Sequence, residues 1–327
     1  MGKLIDSLPG IELPVSEVTK RLATMWEGEM SSSLSEFRAS QMNVVLHFGV
    51  AVSVEEASER FETVIRFAQR YPSRIIVLCP ELDRKDSSMT AKLFSQCYIG
   101  ESHREMCCCE ALLLGYESED FGFLANQVSV WLEGDLPTYH WFNRVSSDRI
   151  KKYYDSLLVG VRRIVFDSSI ENEDVYGLDW PEPEKVVDLA RARLLPVRQA
   201  LGQYLSGYSV EALAGGLQKV TVRHGETSSG EGAHLMAWLK SSLIDCANVA
   251  AVPSDTIEFA LASSGADENC ALCVEFTYED ERFLRWGKTT GTSICEIEAQ
   301  FGGKPEKVPT RIKSPAADQA LSEALFF

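Results

Sequence analysis

Few residues in this 327-residue chain stand at spacings that do chemistry, and each such place carries a defect. Gly225-Glu226-Thr227-Ser228-Ser229-Gly230-Glu231-Gly232 sets two glycines at phosphate-loop spacing, but the position that should bring a lysine to the phosphate holds Glu231, which repels it. Gly287-Lys288-Thr289 has the lysine, yet its leading glycine position is Arg282. A helix-capping loop and a strand end account for the two stretches. No GxGxxG follows the valine-rich run that ends near Val52, which disfavours a nicotinamide dinucleotide held in the usual way.

Cys270-Ala271-Leu272-Cys273 has redox or zinc spacing but opens a strand-like run through Tyr278. Residues three apart on a regular strand point to opposite faces, so the two sulfurs are not expected to share a ligand or close a bridge without a turn. Zinc would need two further ligands, and only Cys295 lies nearby. In Cys107-Cys108-Cys109, small weakly polar side chains of a buried strand read as core. Glu110 is a carboxylate within an apolar run and needs a partner, which Arg38, Arg74 or Arg163 could supply. It reads either as an internal ion pair or as a contact at a ligand cleft. His47, His103, His140, His224 and His234 occur singly, with no triad or metal spacing; His140, between Tyr139 and Trp141, is expected to pack at a strand end. Asp135 and Asp167 end apolar elements, where they could bind a partner's arginine or cap the next helix. No complete catalytic set emerges, and neither a cofactor nor a metal is expected.

The elements that must position these groups alternate. Val15 to Met30 has helical spacing. Asn43 to Val52 reads as a buried strand, Ser53-x-x-Glu56 as a capping box, and Ala57, Phe61, Val64, Ile65 and Ala68 as one helix stripe that ends at Tyr71-Pro72. Arg74 to Leu78 returns as a strand, so a right-handed crossover on a largely parallel sheet follows. Ala91 to Ile99 and Cys107 to Leu114 are too close for an intervening helix and should pair antiparallel, which makes the sheet mixed. Strands at Tyr139 to Phe142 and Arg163 to Phe166 complete it. The fold class is therefore α/β, an N-terminal Rossmann-like mixed sheet with flanking helices plus a smaller C-terminal α+β domain. The divisions are 1–175 for the first domain, 176–206 for a helical connector that Pro196 kinks or breaks, and 207–301 for the second domain. Residues 302–327 form a linker and short tail. The linker is read from three prolines and paired glycines in 302–315; the tail, with Leu321, Leu325, Phe326 and Phe327, either packs on the second domain or docks on a partner.

The stretch from Trp131 to Ser169 carries Asp135-Leu136-Pro137 before an aromatic strand, and Arg163-Ile164-Val165-Phe166-Asp167-Ser168 further on. In these features it resembles the glucose-6-phosphate dehydrogenase assembly protein family, OpcA. Arg38-Ala39-x-x-Met42-Asn43-Val44-Val45 is similar to the family's opening strand, and Tyr71 to Val77 to its arginine-led second strand. Cys107 to Leu112 is similar to its Cys-x-Glu strand, and Asp188 to Arg198, through Arg193, to its helical segment. Arg191 and Val197 stand there where tryptophans are usual. Ala233 to Leu239 resembles a helix of the second domain, so the ordered series covers about residues 38 to 300. The resemblance implies a non-catalytic assembly factor and allosteric activator of glucose-6-phosphate dehydrogenase, which supports the oxidative pentose phosphate pathway by stabilising the active oligomer. On that reading Arg38, Asn43, Glu110, Asp135, Trp141, Asp167, Ser168, Arg193 and Arg198 are the candidate partner-binding or cleft residues. Two alternatives stand beside it: an enzyme acting on a sugar phosphate or nucleotide in a sheet-end cleft, and a thiol-based redox regulator.

Charge narrows the partners. With 32 basic and 48 acidic side chains, the net charge of −16 repels phosphate backbones and anionic lipid, so neither nucleic acid nor membrane is expected as a partner. No run reaches the roughly 18 apolar residues of a spanning helix, and Met1 to Asp6 lacks a signal-peptide core. Nine scattered cysteines do not resemble a secreted disulfide frame, so a reducing cytoplasm is the expected location.

Overall fold

The computed structural model describes residues 3–24, 40–81, 89–99, 106–117, 121–171, 173–264, 270–289 and 294–327. The chain divides into two compact units, 1–188 together with 317–327, and 189–316.

Among its described residues the first unit is built on eight strands, numbered along the chain with the ranges given below, in the order β1-β4-β5-β3-β2-β6-β7-β8. A short helix α1 (Leu4–Ser7), β1 (Ile11–Leu13) and α2 (Val18–Thr24) come first. In β2 (Met42–Phe48) all seven residues are buried, as a central parallel strand covered on both faces requires. The capping box expected after it forms: Glu56 N–H donates to Ser53 Oγ at 3.1 Å, and Ser53 N–H to Glu56 Oε2 at 3.0 Å, which opens α3 (Val54–Ala68). That helix leads to β3 (Ser73–Glu81), parallel to β2.

β4 (Thr90–Ile99) and β5 (Met106–Glu117) pair antiparallel, and β5 lies parallel to β3. After α4 (Phe121–Trp131) the chain crosses to the other side of β2 as β6 (Thr138–Asn143). Next come α5 (Ser147–Lys152), β7 (Arg163–Phe166) and β8 (Val186–Asp188), again parallel. The first domain is thus a Rossmann-like mixed sheet. Its main core joins Val45, Ile76, Leu112 and Phe142 on the sheet to Leu124, Val128 and Tyr153 beside it.

Helical spacing predicts one charged helix over 182–206, but Val186–Asp188 pairs with β7 as an edge strand, and the helix begins afterwards. It breaks near Leu194 into α6 (Leu189–Arg193) and α7 (Leu195–Leu205), with Pro196 in the first turn of α7, where its missing N–H costs nothing.

In the second unit, α8 (Val210–Ala214), β9 (Leu217–His224) and α9 (Ser229–Val249) precede five more strands: β10 (Glu258–Ser263), β11 (Cys270–Tyr278), β12 (Phe283–Thr289), β13 (Ile294–Gln300) and β14 (Glu306–Arg311). The sheet order is β10-β9-β11-β12-β13-β14. Val220, Val222, Val274, Phe276 and Trp286 pack with Leu235, Leu239 and Leu243 of α9, which is an α+β layer. The composition of 302–315 predicts a linker, yet β14 pairs antiparallel with β13 there. An edge strand tolerates Pro309, and Lys307 sits between Glu296 (3.2 Å) and Glu298 (3.7 Å).

The tail also departs from both expected positions. Residues Ala317–Phe326 form α10 on the first unit, where Phe326 meets the rings of Phe67, Tyr71 and Tyr139 and Arg163 Nη1 donates to Ala324 O at 3.0 Å. Leu321 and Leu325 are buried, so burial on its own chain satisfies the apolar side.

Candidate functional site

The strand order reverses between β2 and β6, because the crossover after β2 leads to β3 on one side and β6 lies on the other. In open α/β sheets the crevice outside the carboxyl ends of the strands at such a reversal is the favoured ligand site. Here the two strand ends are drawn together: Gly49 N–H donates to Asn143 O at 2.8 Å, and a Cβ on Gly49 would lie 1.7 Å from Arg144 O. Only glycine fits that approach. Arg144 itself has φ 52°, a left-handed conformation uncommon outside glycine. Its guanidinium is held by Glu56 Oε1 (2.9 and 2.7 Å) and Ile170 O (2.6 Å), and its backbone N–H donates to Glu171 Oε1 at 3.0 Å. Beside this knot lies a cavity of about 280 Å³, walled by residues 48–51, Tyr116, Arg149, Tyr153 and Glu171, with His47 also lining it.

Buried ionisable groups concentrate at this edge. His47 Nε2 lies 2.8 Å from His140 Nδ1, while His47 Nδ1 and His140 Nε2 have no hydrogen-bond partner among the described residues. Burial holds both imidazoles neutral: His140 is pushed down to about 3, and His47 is lowered by burial and then by His140. The Tyr116 hydroxyl is raised by burial and by its hydrogen-bonded neighbour Tyr153, so it stays protonated. Glu171 is pushed up to about 7, first by burial and then by the charges of Asp167 and Asp188, against the pull of Arg144. The site can therefore present neutral donors and acceptors side by side. The sequence shows two histidines 93 residues apart, and only the parallel register, with Val45 opposite His140, makes them neighbours.

Most candidates read from the sequence lie elsewhere. Arg38 is outside the described residues. Asn43 and Glu110 sit at the amino edge of the parallel strands and act within the fold. Asn43 Nδ2 donates to Glu133 O (2.9 Å) and Thr138 Oγ1 (3.1 Å), and its Oδ1 accepts from Glu133 N–H (3.0 Å), which fixes the turn before β6. Glu110 takes Arg74 Nε at 2.8 Å, and the same guanidinium reaches Glu133 Oε1 at 2.5 Å. Of the three arginines that could have served Glu110, Arg74 does so, because β3 and β5 set the two residues opposite each other. Asp135 is exposed in the turn before β6, at the end of the sheet away from the cleft. Trp141 is a buried residue of β6. Asp167 and Ser168 do lie at the carboxyl edge: Asp167 Oδ1 accepts from Ser169 N–H at 3.1 Å and Asp188 Oδ1 from Ser168 N–H at 3.1 Å, so both close the turn after β7.

In the second unit Arg193 Nε pairs with Glu231 Oε1 at 2.5 Å, and Arg198 lies over the Trp238 ring at 5.6 Å. Glu231, which spoils the phosphate-loop pattern, thus serves an ion pair, and Gly232 lets α9 approach His224, whose ring would lie 2.8 Å from an added Cβ. Lys288 of the second pattern contacts Ser314 Oγ. The Cys-x-x-Cys expectation needs correction, since Cys270 and Cys273 form a disulfide. A β-bulge between Cys270 and Leu272 inserts an extra residue, so cysteines three apart reach the same face. Cys97 and Cys108, directly opposite on β4 and β5, form a second bridge, so Cys108 is not simple core. Among the described residues no cluster of three potential ligands for a metal occurs, and no helix is long and apolar enough to cross a membrane.

Residues 65–179 match the family model described as "Glucose-6-phosphate dehydrogenase subunit N-terminal domain", the OpcA assembly family. Over that stretch, about a third of its length, the chain is similar to the OpcA family. The matched segment holds Tyr116, Arg144, Arg149, Tyr153 and Glu171 of the cleft, whereas His47 and Gly49 precede it. No curated protein matches the chain. Among solved structures it is similar to glucose-6-phosphate 1-dehydrogenase from Mycobacterium avium, at 8% identity, TM-score 0.45, and coverage of 87% of this chain and 86% of that one. It is also similar to aldose-aldose oxidoreductase from Caulobacter crescentus complexed with glycerol (11% identity, TM-score 0.41, 87% of each chain). A third is dipicolinate-bound dihydrodipicolinate reductase from Paenisporosarcina sp. TG-14 (9%, TM-score 0.36, 87% and 93%). At these identities and scores none carries an argument about what this chain does.

Proposed function

We propose that this protein is a non-catalytic assembly factor and allosteric activator of glucose-6-phosphate dehydrogenase, acting in the cytoplasm by binding and stabilising the active oligomer. The observation that carries the reading is the family match over residues 65–179, whose description names that dehydrogenase. An activator of this kind works by binding one state of its target more tightly than the other, so it needs no reacting groups of its own. The net charge of −16 favours a basic patch on the partner. The test is size-exclusion chromatography with the dehydrogenase of the same organism, followed by its activity at micromolar concentrations of both. Co-elution with a raised kcat/KM or a shifted oligomer distribution is expected, and the association rate should fall as salt rises. Two proteins that neither co-elute nor alter kinetics would overturn the reading.

The second reading, a thiol-based regulator, draws on the bridges Cys97–Cys108 and Cys270–Cys273. It expects activation to differ between reduced and oxidised protein and the difference to vanish when Cys97 and Cys270 are replaced by serine.

A further inference from the structure

Pairing at the carboxyl edge limits the chemistry of a ligand that could bind there. A phosphate or dinucleotide at a strand-order reversal sits on the amino terminus of the following helix. Both such termini here already hold a protein carboxylate: Glu56 accepts from Ser53 N–H at 3.0 Å ahead of α3, and Glu173 from Ser147 N–H at 2.9 Å at the start of α5. The glycine pattern that lets a backbone approach pyrophosphate is reduced to Gly49, and that glycine is spent on the contact with Arg144. Charge is balanced as well, since Arg144 and Arg149 share the lining with Glu171 and Glu173.

What remains is a small cavity with donors and acceptors interleaved. At about 280 Å³ it falls just below the usual size of ligand cavities, about 300 to 1,000 Å³, so only a small compound would fit. The rings of Phe48, Tyr116 and Tyr153 offer apolar faces, and the phenols and Arg149 offer polar edges. His47, buried in the wall, has an Nδ1 with no partner among the described residues, although a buried polar atom is normally satisfied by protein or by something bound.

We infer that the cleft at the carboxyl ends of β2 and β6 is a binding site for a small uncharged polyhydroxy compound, of monosaccharide size or below. Hydroxyl groups both donate and accept, which suits a wall of mixed character, whereas a phosphate would meet Glu171, Glu173 and two filled helix termini. The partial protonation of Glu171 near neutral pH adds one more group able to play either part.

The test uses the whole protein alone, so its outcome is independent of any dehydrogenase. D-glucose and sorbitol serve as neutral probes, with inorganic phosphate and NADP as charged ones, and binding is followed by ligand-observed NMR and calorimetry. Saturable binding of at least one neutral probe, tighter than either charged probe, is expected. Arg149→Met should weaken it about ten-fold or more, as loss of a charge-assisted hydrogen bond does. Ser146→Trp should abolish it by filling the rim; Ser146 is exposed and makes no side-chain capping bond, so that variant keeps its fold, which near-UV circular dichroism checks. Failure of both neutral probes to saturate, preference for a charged probe, or undiminished binding by Ser146→Trp would each overturn the inference.

Discussion

The two ends of the parallel strands in the first unit handle polar groups in opposite ways. At the amino edge the buried polar side chains are consumed by the fold: Arg74 is held between Glu110 and Glu133, Asn43 fastens the turn before β6, and α10 covers Tyr71 and Tyr139. At the carboxyl edge, glycine and a left-handed arginine force two strand ends together, a buried imidazole pair keeps nitrogens unpartnered among the described residues, and burial raises a carboxylic acid to about 7. Buried polar groups are costly unless satisfied, so one edge is built for stability, while the other keeps costs that a binding role would explain. Conspicuous charge in an apolar strand marked the first edge; close backbone approach marks the second.

Removing α10 should have the largest effect and sharpen the contrast. Leu321 and Leu325 are buried with Asp318 beside Arg66 and Arg70, and loss of two buried leucines costs about 4 kcal/mol or more. Deletion of 317–327 should therefore lower the urea midpoint markedly, whereas a tail reserved for a partner would leave it unchanged. Next comes Gly49→Ala, where a Cβ meets backbone at 1.7 Å and cannot be relieved by a rotamer change. We expect about 3 kcal/mol of destabilisation, against no more than about 0.5 kcal/mol for Gly134→Ala at the opposite edge, where nothing lies within 4 Å. Equal effects in chemical denaturation would break the comparison.

How much of this was legible follows from the range of the interactions. β2 and the Ser53/Glu56 box could be read because a run of buried residues and an i to i+3 pair are local signals. That Glu110 needs a partner could be read, but the choice of Arg74 depended on strand register. β14 was hidden because lysine, glutamate and proline on an exposed edge have the composition of a linker. The Cys270–Cys273 bridge was hidden by a bulge of one residue, which inverts the facing rule used to exclude it. The cleft was least legible of all. Its histidines look single along the chain, and neither Gly49 nor Arg144 belongs to a motif.

Arg74→Met probes the amino edge alone. It leaves Glu110 and Glu133 without the guanidinium they share, and because Arg74 keeps about a fifth of its side chain exposed, the loss should be about 2 kcal/mol rather than the larger cost of a fully dry pair. A double variant, Arg74→Met with Glu110→Leu, should recover much of it, because no buried charge is then orphaned. If the double variant is no more stable than the single one, the pair contributes more than mutual satisfaction, and the division between the two edges weakens.

A comparable effect, visible only as pH is varied, lies at the carboxyl edge. Glu171 is raised to about 7 from an ordinary glutamate value of 4.5, so the folded protein binds more protons than the unfolded chain between those values. Stability must then fall as pH rises through that window, since the slope follows the protons bound in the unfolded state minus those in the native state. Below about pH 4.5 the group contributes nothing differential, and above about pH 7 its full cost is present. Glu171→Gln keeps an oxygen that can accept from Arg144 N–H and removes the titration. Relative to the parent, it should therefore gain stability between pH 5 and pH 8, by about 2 kcal/mol, read from urea midpoints at each pH. A parallel pair of curves would mean that Glu171 titrates normally and that the carboxyl edge holds its charges as comfortably as the amino edge does.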